Sequence, residues 1–320
     1  MDLGKLAYIF MPQPPEEDST AFPNLPLSKD NIATFIESQN PNLPLSYWQQ
    51  QNAEGHKMEL NESCAKMPDP LRLRYNNEYW QEVVTSNFTL YLYAAYLDVR
   101  ARNTEGPVVR LLGMADKLKP RVTMFCQLWF ENSSQPVLSE VSSFRYLWTF
   151  GDEGTRWNTP TNDLQPYLVT CPIPAKDANR TPISVSVTEG ACDTATAHLK
   201  VIYNKPEGGS ESKKKFAVCV KGLDMPDDLS VRLAEWIELV MAMGADKIFL
   251  YSYEVHPKVA RLVEEYAREG KIDLRAITLP GPQPNLPGLQ HLCIQRWLQK
   301  KRFNELIPYN DCLNRSMHIA

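Results

Sequence analysis

The residues that could do chemistry gather in the last third of the chain. An apolar run from Phe216 to Gly222 carries Lys221 near its end. That ammonium could face a nucleotide diphosphate or a uracil edge, or simply close a strand at the surface. A second run ends at Ser252 to Glu254, and a third near Thr278. Asp224, Asp227 and Asp228 stand close together where a helix begins. Capping and the helix dipole account for them there without a cation. His256, just before Pro257, reads as a helix-start residue rather than a general base, and His291 and His318 have no partner that the sequence names. Glu235, beside Trp236 in an apolar helix, reads as structural. No Ser-His-Asp or Cys-His arrangement can be argued. No Gly-x-Gly-x-x-Gly or phosphate loop follows the first run, which disfavours Rossmann cofactors and P-loop nucleotides.

Seven cysteines, at 64, 126, 171, 192, 219, 293 and 312, include no Cys-x-x-Cys, and no histidine lies at metal-ligand spacing, which argues against zinc. Asn-x-Ser/Thr acceptors stand at Asn61, Asn87, Asn132 and Asn314, with a fifth at Asn179 weakened by Pro182. Chance would give roughly two or three. Together these features point to a secretory-lumen protein with some of its cysteines bridged and one thiol left over. Cys219, in mid-strand, reads as inert core. The formal net charge of −4 argues against a nucleic-acid partner or an anionic membrane surface. No stretch reaches the ~18–20 apolar residues of a membrane helix, and Leu6 to Met11 is too short and too weakly basic for a signal peptide. The expectation is a chain that is soluble as given, or one whose anchor lies upstream.

These residues need elements to hold them. Residues 1–74 are rich in Pro, Asn and Ser without lasting apolar periodicity, and predict a surface or partly disordered stem. Over 75–205, short β-branched and aromatic segments alternate with turn residues: YWQEVVTSN, FTLYLYAAYLDVRARN, PVVRLLGM, RVTMFCQLWF, QPYLVTC, PISVSVTE and TATAHLKVIY. They predict a β-rich domain, an antiparallel sandwich or similar. Residues 206–215 are charged and Gly/Ser-rich and read as a linker.

From 216 to 320 strand and helix alternate. FAVCVKG, KIFLYSY and KIDLRAITL are strands. Helices run from Pro226 to Gly244, from Pro257 to Gly270, and through Leu289, Leu292 and Ile294. That order predicts parallel pairing with right-handed crossovers, in which ligands sit beyond the carboxyl ends of the strands. Three strands leave an open parallel edge, so the sheet is expected to be unfinished.

The α/β residues resemble glycosyltransferase family 92. The likeness is carried by FAVCVKGL, by LAEWIELVMAMGADKIFLY, by YAREGKIDL and by NDCLNRSM, in the family's order and spacing, and reaches back to LYLYAAYLDVRARN and VVRLLGM. The resemblance implies an α+β chain: a β-sandwich-like domain followed by the N-terminal half of a GT-A-type α/β domain. It also implies transfer of a hexose, galactose from UDP-galactose, to glycan acceptors. The transfer would invert the anomeric carbon, with Mn2+, on the lumenal side of the Golgi membrane. Mn2+ would need an Asp-x-Asp pair and inversion a carboxylate base. Neither is expected in this chain, nor is a membrane anchor, so the chain is expected to be a fragment, inactive alone. Lys221, Ser252 and Glu254 fall where the family's donor nucleotide would be bordered. Asp311 and Arg315 match the Asp-Cys-Leu-x-Arg motif; Arg315 could reach the diphosphate or form a helix-orienting ion pair. A noncatalytic secreted glycan- or partner-binding protein is the alternative, and an unrelated cytosolic α/β enzyme a third.

Overall fold

The computed structural model describes residues 29–53, 64–100, 103–133, 135–148, 163–205, 215–296 and 298–318. The fold is α+β, built on a large mixed sheet and a small parallel one. The large sheet comprises β1 (Gln81–Val84), β2 (Thr89–Asp98), β3 (Val108–Ala115), β4 (Phe125–Phe130), β5 (Val137–Glu140), β6 (Ser143–Tyr146), β7 (Gln165–Pro172), β8 (Pro182–Thr188) and β9 (Leu199–Ile202). Its order is β5-β4-β8-β9-β2-β3-β7-β6, with β1 also on β2.

All of these pairs are antiparallel except β2 with β9. β5 and β6 are separated by two residues yet end up at opposite ends of this order, so the sheet must curl round on itself. The expected sandwich is thus a single curled sheet. Its inside is packed with Leu92, Leu111, Leu128, Val169 and Val185, and a disulfide between Cys126 and Cys171 crosses it. A register shift between Leu92 and Ala94 turns Tyr93, Ala94 and Tyr96 to the outer face. That switch is why β2 reads as one unbroken apolar run.

Where a surface or partly disordered stem is expected over residues 1–74, two helices are present, α1 (Lys29–Gln39) and α2 (Leu45–Ala53). Ile36, Leu43, Leu45 and Trp48 are buried together with Leu73. Pro44 stands at the start of α2, where its carbonyl accepts from the Trp48 amide at 3.1 Å. The Tyr47 hydroxyl reaches the Phe130 carbonyl (3.2 Å), and Asn42 Nδ2 reaches that of Tyr93 (2.9 Å).

The small sheet holds β10 (Ala217–Met225), β11 (Lys247–Val255) and β12 (Ile272–Ala276), parallel and in that order. One face packs on α3 (Ser230–Ala242) and α4 (Pro257–Arg268) through Leu233, Ile237, Val259 and Val263. His256 caps α4, accepting from the Lys258 amide at 3.2 Å, as the sequence suggests. The other face meets α5 (Leu289–Arg296) and α6 (Leu298–Ser316). Phe249, Tyr251, Phe303 and Ile307 there share one cluster with Trp80, Tyr93 and Tyr96 of the large sheet.

Cys219 is not an inert thiol: it is bridged to Cys312 and fastens β10 to α6. Closing a loop with a sequence separation of 93 removes denatured-state entropy on the order of 4 kcal/mol. Cys64 and Cys192 form the third bridge, and among the described residues Cys293 is the thiol left over. No helix of the described residues is long and apolar enough to cross a membrane.

Candidate functional site

Along β10, register shifts between Cys219 and Gly222 and between Leu223 and Met225 break the simple alternation of side chains. Lys221 and Asp224 both reach the α5 and α6 side as a result. Gly222 is required in this bend, because a Cβ there would overlap the ring of Tyr253. Burial raises the Tyr253 phenol well above its ordinary pKa, with Asp224 and Glu305 adding to the effect.

Asp224 is nearly buried and uses both oxygens. Oδ1 lies 2.9 Å from His291 Nδ1, and Oδ2 accepts from Gln295 Nε2 at 2.7 Å. Gln295 Oε1 in turn accepts from Lys301 Nζ at 2.9 Å. Lys221 Nζ lies 3.1 Å from Glu305 Oε1, and Arg302 Nη1 is 3.1 Å from the other oxygen. Glu254 Oε2 accepts from the Gly288 amide at 2.7 Å.

Glu254 stands at the end of β11. Lys221 does not end its strand as expected, because β10 runs on to Met225 with Leu223 and Met225 still paired to β11. Ser252 lies in the ladder opposite Leu223 and Ala276. The Asp224–His291 pair is new. Asp224 lies inside β10 and not at the helix start where the sequence suggests it, which separates it from Asp228. The latter accepts from the Ser230 amide (3.2 Å) and pairs with Lys258 (2.8 Å).

Asp311 and Arg315 are brought together elsewhere, in the interior. Asp311 is 0% exposed and Arg315 4%. Asp311 accepts from the hydroxyls of Tyr96 and Tyr251 and from Arg315 Nε at 2.8 Å. Arg315 Nη2 donates to Asn42 Oδ1 at 2.9 Å. Burial alone would raise the Asp311 pKa; the charges of Arg315 and Arg275 outweigh it and hold the carboxyl below the usual range. Tyr96 and Tyr251 are driven well above theirs, by burial first and then by Asp311. This node locks α6 to β2, to β11 and to the loop after α1.

The implied Mn2+ does not fit these residues. Among the described residues no three His, Cys, Asp or Glu side chains converge. The carboxylates at the cleft, Asp224 and Glu254 near the strand ends and Glu305 on α6, are each held by protein donors. Of the glycan acceptors, Asn132 is exposed in a left-handed turn (φ 57°). Asn179 is exposed, and Asn87 half-buried with Oδ1 accepting from the Arg121 amide. Asn314 is 6% exposed inside α6, donating to the Asn310 carbonyl at 2.7 Å. Asn61 lies outside the described residues.

No curated protein and no solved structure matches the chain. Residues 214–320, which contain β10 to β12 and α3 to α6, match the model of glycosyltransferase family 92, the family the sequence resembles, and that match points to glycosyltransferase activity.

Proposed function

We propose that residues 214–320 form the donor-holding half of a GT-A-type sugar-nucleotide site, binding UDP-galactose beyond the carboxyl ends of β10 and β11. The observation that carries this reading is the Asp224–His291 pair and Glu254 at those ends, with Lys221 further back in β10 and turned to the same helices, within the segment that matches the family. Ligands of open α/β sheets lie there. Lys221 would leave Glu305 for the diphosphate, an exchange that exposed ion pairs permit at little cost. His291 is held through Nδ1 by Asp224 beside the same cleft. Glu254 and Ser252 border the nucleoside. Asp311 and Arg315 orient α6 from the interior and do not touch the donor.

An inverting transfer with Mn2+ in the Golgi lumen is what the family likeness adds. Three disulfides favour an oxidising compartment. The carboxylates at the cleft are already engaged, so the described residues bind donor without turning it over. Calorimetric titration with UDP and with ADP tests this. UDP is expected to bind more tightly, and Lys221→Ala to raise its Kd about tenfold. Absence of UDP binding, or UDP-galactose turnover at any Mn2+ concentration, contradicts the proposal.

A further inference from the structure

Away from the donor cleft, two neighbouring grooves share one cationic floor. The larger, about 460 Å³, runs along the end of β9 and is lined by Lys200, Tyr203, Asn204 and Lys205. The smaller, about 160 Å³, opens beside the end of β12 against Arg275. Pro41 and Arg315 line both. Across the two linings stand four cationic side chains, Lys200, Lys205, Arg275 and Arg315, and no carboxylate, in a chain whose net charge is −4.

The neighbouring acids leave donors to spare. Asp311 and Asn42 occupy Nε and Nη2 of Arg315, and among the described residues Nη1 donates to no protein acceptor. Arg275 Nε is buried 2.8 Å from Asp273 Oδ1 but off the hydrogen-bond line, the bond being made by Nη2 at 3.1 Å. Lys200 Nζ stands 3.9 Å from Glu37, too far for a hydrogen bond. Tyr203 is fixed by an edge contact with His318 (5.2 Å), and Lys205 lies over its ring.

We propose that these grooves form one binding site for an anionic glycan. A sulfate or carboxylate would sit in the arginine pocket, accepting charge-assisted hydrogen bonds from Nη1 of Arg315 and from the guanidinium of Arg275. The sugar rings would lie in the larger groove between Tyr203 and Pro41, within the roughly 300–1,000 Å³ typical of small-ligand sites. An extended acidic peptide finds no open strand edge here, because β9 is flanked by β8 and β2. The sugar identity of the ligand rests on the transferase reading; the need for an anion does not.

The test is calorimetry of the full chain, without nucleotide, against a sulfated uronate-bearing tetrasaccharide and its desulfated, carboxyl-reduced counterpart. The sulfated sugar is expected to bind and the neutral one not. A Lys200→Ala/Lys205→Ala variant should raise Kd at least about tenfold while its melting temperature stays unchanged. No binding, equal binding of the neutral sugar, or a Kd unaffected by the double variant overturns the site. A Glu-rich peptide binding as tightly, or sodium sulfate competing at equal concentration, overturns its glycan character. UDP affinity, measured separately, reports on the donor cleft alone.

Discussion

His198 makes the fold acid-sensitive by a calculable amount. The ring is 0% exposed, tilted against Trp48 and edge-on to Trp129, with Nδ1 2.7 Å from the Ser186 hydroxyl. Burial drives its pKa from 6.5 down to about 3. The folded protein therefore refuses a proton that the unfolded chain accepts below about pH 6.5. The unfolded state then binds more protons, so this contribution is complete above that pH and is lost as pH falls from 6.5 towards 3. By pH 5 the lost stability is about 2 kcal/mol, from a roughly thirtyfold greater weight of the unfolded state.

Asp98 does not blur this window. Burial opposes its ionisation, but Arg100 and Arg110 outweigh that and hold its pKa well below the usual 3.8. Its contribution is lost only below that value. Urea unfolding at pH 7 and pH 5 measures the effect with the disulfides intact. His198→Gln, which cannot titrate, should lose about 2 kcal/mol less than the parent between the two pH values. Equal losses in the two proteins would refute the reasoning.

Asp311→Asn removes the carboxylate from a buried pair and leaves the Arg315 guanidinium uncompensated beneath Tyr96 and Tyr251. The expected loss is about 3–5 kcal/mol in urea unfolding; a loss under 1 kcal/mol would mean that the node does not lock α6. On expression through a secretory pathway, glycan should be found at Asn132 and not at Asn314. Asn132→Gln should remove one glycan mass, and intact-mass spectrometry showing glycan at Asn314 in folded protein would contradict the burial argument.

Much of the framework was legible because its signals are local. FAVCVKG and KIFLYSY are nearly continuous apolar runs, KIDLRAITL alternates apolar with charged residues, and all three are strands. The seven expected β segments are likewise present. β5 and β6 were missed because VLSE and SFRY alternate half-buried with exposed positions and carry little apolar signal. The α1–α2 pair was missed because Ile36, Leu43 and Trp48 have no helical period of their own; Leu73 completes their cluster from beyond the pair. Curling of the large sheet depends on which strands pair, and that is written across the chain rather than within any one segment.

At the site, Glu254 could be placed from the end of its strand. The strand of Lys221, in contrast, runs on past the apolar run, because Leu223 and Met225 still pair with β11 on either side of Asp224. The Asp224–His291 contact joins residues 67 apart, so no spacing rule reveals it. The same is true of Asp311 and Arg315: their i,i+4 spacing announces an ion pair, but only packing of α6 against β2 shows that it faces inward.

The central claim is that a uridine nucleotide lies against the carboxyl ends of β10 and β11. Photolabelling with a 5-azido-UDP-sugar, followed by peptide mapping, tests it most directly. The label should fall within residues 217–225, 252–255 or 288–296, and excess UDP should suppress it. Labelling confined to the large sheet, or unaffected by UDP, would contradict the account.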